Sequence, residues 1–253
     1  MGSDSLQLAC QYLLEAKSVV CLTGAGVSAE SGISTFRDPE SGHWAKFDPE
    51  VLASQHGFQQ DPGLVWRWYM ERLFSSTTQA EPNPGHYSLA KMESELHKRN
   101  GSFMLVTQNV DDLHEQAGSQ NVCHLHGNIS SFFCNSCRRD HILDAHDKRA
   151  EMPPLCLLCG GYIRPGVVWF GEQLPVAEIE SAWDASQRCD VMLIVGTSGV
   201  VYPAAHLPMV AKQAGAKLID INPEHGATAS MADLFLQGPS GDILPQLLEM
   251  LHW

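Results

Sequence analysis

Three groups of residues in this chain have types and spacings suited to chemistry. The first is Gly-Ala-Gly-Val-Ser-Ala-Glu-Ser-Gly-Ile-Ser-Thr-Phe-Arg at positions 24–37, directly after the apolar run Ser-Val-Val-Cys-Leu at 18–22. A buried-type strand feeding Gly-x-Gly-x-x-Ala suits a phosphate: Gly24 makes the bend and Gly26 lets the backbone approach a pyrophosphate. The small Ala29 lets a helix pack close, with its first N–H groups aimed at the anion. The pattern alone is weak, and the acid that a nicotinamide dehydrogenase carries about 20 residues further on is missing. The chain instead continues through Phe36, Arg37, Asp38 and Pro39 into a polar stretch. A dinucleotide remains the expectation, without the usual support for hydride transfer.

The second group is Cys134, Cys137, Cys156 and Cys159, spaced C-x2-C-x18-C-x2-C. Four thiolates at that spacing suit one tetrahedral zinc ion with no vacant position, so the metal is structural and does not activate water. The third is Asn-Val-Cys-His-Leu-His-Gly at 121–127. Its alternation puts His124 and His126 on one face of an extended segment, and either could accept a proton near neutral pH. On the residues alone, a satisfied structural histidine is the simpler reading of both.

The elements that must position these groups alternate. Strand-type runs occur at 18–22, 103–107, 191–195 and 217–221, with a weaker one at 234–236. Helical patterns are expected at 6–16, at 84–99 with Asn83 as cap and Pro84 in the first turn, at 203–214 and at 242–251. Strands alternating with helices imply an α/β fold, a Rossmann-like parallel sheet with helices on both faces. Two stretches break the rhythm and are read as a smaller lobe: a helical insertion at 42–81, with an amphipathic helix near 64–74, and a zinc ribbon at 130–164. The sheet domain is then discontinuous, over 1–41, 82–129 and 165–253. Polar clusters follow the strands where an open α/β sheet binds its ligand: Gln108, Asn109 and Asp111; Gly196, Thr197 and Ser198; and Asn222 with Glu224, an acid placed to grip a ribose diol.

The formal charge of −13 disfavours nucleic acid as a partner. Arg138, Arg139, Lys148 and Arg149 flank the cysteines, but Asp140, Asp144, Asp147 and Glu151 offset them. No segment is apolar and long enough to cross a membrane. The first residues lack the basic start and apolar core of a signal peptide, so a cytoplasmic location is the expectation. Structural disulfides are not expected there, and Cys10, Cys21, Cys123 and Cys189, each alone among apolar neighbours, read as buried small hydrophobes.

Together these pieces resemble the sirtuins, the NAD-dependent protein lysine deacylases. The matching stretches are 24–33, Phe36-Arg37, Thr-Gln-Asn-Val-Asp at 107–111, Leu-His-Gly at 125–127, the four cysteines, Val-Val-Trp-Phe-Gly-Glu at 167–172, Gly-Thr-Ser at 196–198 and Asn222-Pro-Glu224. The resemblance implies His126 as catalytic base. It implies an NAD site from Gly24, Ala25, Gly26, Ala29, Phe36, Arg37, Gln108, Asn109, Asp111, Gly196, Thr197, Ser198, Asn222, Glu224 and Ser240. It also implies one structural zinc per chain and acyl-lysine proteins or peptides as substrates, with Val168, Trp169 and Phe170 adding a short strand to the peptide. A monomer is expected. In the family mechanism the acyl oxygen attacks C1′ of the nicotinamide ribose, and the products are free lysine, nicotinamide and O-acyl-ADP-ribose. Ser34 stands where the family usually has proline, which loosens φ in the cofactor loop.

The segment near 64–74 carries Tyr69 and Arg72, three apart and able to project from one face of a helix. Unaided, they read as a half-buried core residue and a solvated charge. With Ala53 upstream, Tyr-x-x-Arg resembles the branch that removes succinyl, malonyl and glutaryl groups. An acyl carboxylate entering an apolar pocket needs a partner, and a guanidinium with a phenol supplies three donors. Protein ADP-ribosyl transfer from the same site, plain deacetylation and a silent NAD-responsive module are the competing expectations.

Overall fold

β-branched and aliphatic residues dominate the runs at 19–22 and 191–195, where burial of both strand faces explains the unbroken apolar pattern. The computed structural model describes residues 3–33, 52–74, 77 and 79–253. Its main sheet joins β1 (Ser18–Thr23), β2 (Ser102–Thr107), β3 (Val122–His124), β6 (Val191–Val195), β7 (Lys217–Asn222) and β8 (Leu234–Gln237) in the order β3-β2-β1-β6-β7-β8. All pairings are parallel. The order reverses between β1 and β6, which opens a crevice at the strands' C-terminal ends, where such sheets take ligands.

One face of the sheet is covered by α1 (Ser3–Glu15), α5 (Pro84–Lys98) and α9 (Ser240–Leu251), through a core containing Leu13, Leu89, Phe103, Leu193 and Leu247. The other is covered by α7 (Val176–Arg188) and α8 (Leu207–Gln213), around Leu22, Val106, Ile194, Leu207 and Leu218. Two short helices, α2 (Ala25–Ala29) and α6 (Leu113–Gln116), sit directly after β1 and the β2 loop. Asn83 caps α5 as the sequence predicts, its side chain taking the Gly85 and His86 N–H groups. The four solitary cysteines are buried.

A third core belongs to the remaining elements. Helices α3 (Gln55–Gln60) and α4 (Pro62–Trp68) pack Phe58, Val65, Trp66 and Trp68 against Ile129, Phe132 and Ile163. The last three come from the antiparallel pair β4 (Gly127–Cys134) and β5 (Ile163–Val167). The expected helical insertion and cysteine segment therefore share one hydrophobic centre.

Several local expectations are corrected. The helix read near 64–74 is α4 followed by a π-helical turn, Tyr69–Phe74. In such a turn the hydrogen bonds reach i+5, so residues three apart no longer stack as on an α-helix. The helix read at 203–214 is a 3-10 turn, Ala204–His206, and then α8, because Pro208 fits only the first turn of a new helix. The extended segment thought to carry both histidines ends at His124; Leu125 and His126 form the turn before β4. Among the described residues no helix is long and apolar enough to cross a membrane.

Candidate active site

The loops after β1 and β6 interlock at the switch point. Gly24 N–H donates to Val195 O at 3.1 Å and Gly26 N–H to Gly196 O at 2.8 Å. A Cβ on Gly26 would lie 2.7 Å from that carbonyl, and one on Gly24 would lie 2.8 Å from Thr197 Cβ. Gly196 itself has φ +61, open to glycine at little cost. The close approach that the sequence assigns to a pyrophosphate is therefore made, for Gly26, by the neighbouring loop. Ala25 is half-buried and Ala29 exposed at the two ends of α2.

The residues after β2 meet this loop. Gln108 Nε2 donates to Thr197 Oγ1 at 2.9 Å, and Asn109 Nδ2 donates to Gly24 O at 3.1 Å and to Ser28 Oγ at 3.0 Å. Ser28 in turn donates to Asp111 Oδ2 at 3.0 Å, and Leu113 N–H to Asp111 Oδ1. Burial raises the Asp111 carboxyl, while those two donors and the charge of His124 pull it back. Ser28 was not singled out in the sequence, although its place inside the glycine motif, next to the loop's second bend, was the available signal. Below this cluster the ends of β1 and β2 are tied by Thr23 Oγ1 to Thr107 Oγ1 at 2.8 Å, with His114 Nε2 at 3.0 Å from Thr23 Oγ1.

His126 joins the same cluster through its Nδ1, 3.0 Å from Gln108 O. A carbonyl only accepts, so Nδ1 carries the hydrogen and Nε2 keeps its lone pair. Burial holds the ring below the usual histidine range, partly countered by that hydrogen bond. The ring is thus neutral near physiological pH, the form a general base needs. His124 faces different partners, Asn109 O and Glu115.

On the other half of the sheet the predicted residues spread out. Thr197 is buried against Gln108, and Ser198 is half-buried. The Asn222 amide donates to Asp220, whose carboxyl burial raises. Glu224 is exposed beyond β7. Ser240, at the start of α9, donates its hydroxyl to Glu30 Oε1 at 3.0 Å, and Gly241 N–H does the same. Phe36 and Arg37, with Ser34, lie outside the described residues.

The acyl-side candidates gather around the segment after β5. Val168 N–H donates to His126 O, and Phe170 N–H to Ala53 O, each at 2.8 Å. Ala53 is buried and Phe170 half-exposed. Tyr69 is not half-buried but 2% exposed, and Trp169 is likewise enclosed at 1%. The Trp169 indole donates to Tyr69 Oη at 2.9 Å, which leaves the phenol its own proton to give; burial keeps that phenol neutral. The Arg72 side chain lies outside the described residues. Arg164 is the missed residue here. Fully buried, it pairs with Glu172 at 2.5 Å, donates to Val167 O at 2.8 Å and stacks on Trp169 at 3.3 Å. Glu172 also takes the Trp169 N–H.

The four cysteines converge at the tips of the ribbon. Cys134 and Cys159 sulfurs are 3.4 Å apart, Cys137 and Cys156 sulfurs 3.7 Å, and all four lie within 4.8 Å of one another. A tetrahedron with ~2.3 Å zinc–sulfur bonds has edges of about 3.8 Å, while a disulfide would need ~2.05 Å. The Ser136 and Cys137 N–H groups point at Cys134 Sγ and favour its thiolate. The set suits one structural zinc ion.

A doubly wound parallel sheet with a polar cluster at its switch point and a four-thiolate ribbon beside it defines a dinucleotide-binding protein with a zinc-stapled second lobe. The Sir2 family model matches residues 24–203. The chain is 48% identical to NAD-dependent protein deacylase 2 of Pyrobaculum aerophilum over 94% of this chain and 92% of that one. It is 46% identical to NAD-dependent protein deacylase 1 of Pseudomonas aeruginosa, over 94% and 96%. Among solved structures, a Sir2 homolog–NAD complex superposes with a TM-score of 0.88 at 42% identity, covering 97% of this chain and 93% of that one. A Sir2–p53 peptide–NAD complex gives 0.85 at 32%, covering 97% and 98%. This chain belongs to the Sir2 family, the sirtuins.

Proposed function

We propose that this sirtuin is an NAD-dependent protein-lysine deacylase that prefers acidic acyl groups, succinyl, malonyl or glutaryl, over acetyl. The activity rests on family membership and on one observation above the others: a neutral His126, tied by Nδ1 to Gln108 O and retaining its Nε2 lone pair, beside the Asn109–Ser28–Asp111 cluster. When bound, NAD supplies an activated ribose that accepts the acyl group as nicotinamide leaves.

The chain's own residues then have separable tasks. His126 takes a proton at Nε2 from a hydroxyl of the reacting sugar, and the Gln108 carbonyl steadies the resulting imidazolium from the far side. The Asn109 amide, with both donors held by Gly24 O and Ser28, presents its oxygen as an acceptor in fixed orientation. Asp111, held by Ser28 and Leu113 N–H, offers a carboxylate that burial makes costly to leave without a partner. The ribbon core with Trp169 and Tyr69 keeps water from the acyl side.

The acidic preference rests on Tyr69 and Arg72. Tyr69 is a buried phenol whose oxygen already accepts from Trp169, so its proton is directed to another acceptor. A carboxylate at the end of an acyl chain is the acceptor that would also satisfy a guanidinium. In the same reading, residues 1–41, 82–129 and 165–253 form the NAD-binding domain, and 42–81 with 130–164 form the small one. The deciding experiment presents one peptide with acetyl, malonyl, succinyl and glutaryl lysine, with NAD, and follows nicotinamide release. The acidic acyls should turn over faster, and Arg72→Met should cost desuccinylation at least about tenfold more than deacetylation. Equal losses in both would remove the pocket argument.

A further inference from the structure

His124 and His126 are two residues apart, yet their rings meet different sets of acceptors. His126 has one acceptor, Gln108 O. His124 has two: Asn109 O lies 3.3 Å from Nδ1, and Glu115 Oε1 lies 2.6 Å from Nε2. A carbonyl and a carboxylate can only accept. Both contacts become hydrogen bonds only when both ring nitrogens carry hydrogen, which is the imidazolium.

The groups around the ring agree. The loop from β2 to α6 brings Asp111 and Asp112, and α6 brings Glu115 and His114. Burial drives His114 well below the usual histidine range, so it adds no charge. The neighbouring Cys123 points to the opposite face of β3, where its thiol donates to the backbone carbonyl of Glu178 on α7, away from the ring. Burial alone would pull His124 down, but the Glu115 bond and charge, with Asn109 O and Asp112, push it up. The side chain is 15% exposed against 39% for Glu115, so this ion pair is less screened than a surface one.

We infer that His124 is a positioning residue for the deacylation: as an imidazolium clamped by Glu115 it holds the Asn109 carbonyl in place and sets a positive charge beside Asp111. This rests on the functional reading above. His126 must be neutral to work while His124 must be charged, so the two rings bound the active pH range from opposite sides. Above the His124 pKa the ring keeps one hydrogen, and either Asn109 O or Glu115 loses its donor. Asp111 loses its neighbouring charge at the same time.

The test separates charge from shape with Glu115→Gln, because glutamine still accepts a hydrogen bond from the ring but supplies no charge. Imidazole nitrogen shifts of the histidine-labelled enzyme, without NAD, are followed across pH, the His124 signals being those lost in His124→Gln. Both His124 nitrogens should be protonated at neutral pH, and Glu115→Gln should lower the midpoint by about one unit or more. The alkaline limb of kcat for deacylation should move down with it, while the acid limb set by His126 stays. A His124 carrying one hydrogen at neutral pH, or an alkaline limb unmoved in Glu115→Gln, would overturn the assignment. Absence of turnover with every acyl peptide would instead defeat the functional reading, and the titration would still decide the charge on His124.

Discussion

His126 owes its form as a base to two local facts, one acceptor at Nδ1 and burial of the ring. Replacing it with alanine removes the group that takes the proton but leaves the Val168 N–H bond to its backbone carbonyl intact. His126→Ala should therefore lower kcat about 10²–10⁴-fold while the circular dichroism spectrum and NAD affinity stay near wild type. Full turnover in that variant would remove the assignment. Because burial lowers its pKa, the acid limb of kcat should fall below ~6.5; a limb above that value would mean another group titrates. The residues alone could not separate His124 from His126. The difference lies in which backbone carbonyls they meet, Asn109 O or Gln108 O, and that depends on β3 stopping at His124. The family resemblance supplied the choice that periodicity could not.

Elements were legible in proportion to the size of their buried side chains. The central strands carry long apolar runs, Val-Val-Cys-Leu in β1 and Val-Met-Leu-Ile-Val in β6, and β6 begins and ends where the sequence predicts. Helix α7 was not foreseen, because the residues it buries fully are Ala182 and Ser186, too small to print a stripe. Strands β4 and β5 straddle the two ends of the segment read for its cysteines, 130–164, and their pairing shifts register between Asn128 and Phe132. Arg164 escaped for a related reason: a lone arginine in a sequence reads as surface, whereas here it is a buried clamp across the segment from Val167 to Glu172. Arg164→Met would strand Glu172 and free Val167 O. Glu172 is 27% exposed, so the cost should be about 2–3 kcal/mol, below the range for a fully buried pair, read as a lower urea midpoint. Gly26→Ala tests the interlocked loops. Its methyl would meet the Gly196 carbonyl at 2.7 Å, backbone against backbone, and should cost about 1–3 kcal/mol. An unchanged midpoint would mean that the two loops part freely.

For the molecule as a whole, two properties follow from groups that take no part in the chemistry themselves. Buried His86 and His114 lie with ring centroids 4.8 Å apart; burial pulls His86 down to about 4 and His114 well below its usual value. In the unfolded chain both bind protons near ~6.5, so between that pH and about 4 the unfolded state holds more protons. Stability should thus fall as pH drops through this window, by about 3 kcal/mol for His86 alone, and His86→Gln should flatten the slope of urea stability against pH. The second property is the zinc ribbon's hold on the chemistry. Among the described residues another set, Asp144, His146 and Asp147, has metal-like spacing, but it is largely exposed, and one oxygen of each acid is already engaged: Asp144 Oδ1 accepts from the His146 and Asp147 N–H groups, and His141 lies on Asp147 Oδ2. The thiolates are thus the resident site, and one zinc per chain should be found, lost in a Cys137→Ser, Cys159→Ser variant. Cys134 ends β4, Cys156 lies before β5, and both belong to the core that contains Tyr69 and Trp169. The strand pair delivers Val168 to the His126 carbonyl. A strong chelator should then abolish deacylation and melt the ribbon core, while the parallel sheet, whose two cores contain no zinc ligand, keeps its far-ultraviolet signal. Restoring zinc should restore turnover. Undiminished activity after complete zinc loss would show that the path from thiolates through β4 and β5 to His126 carries no mechanical burden.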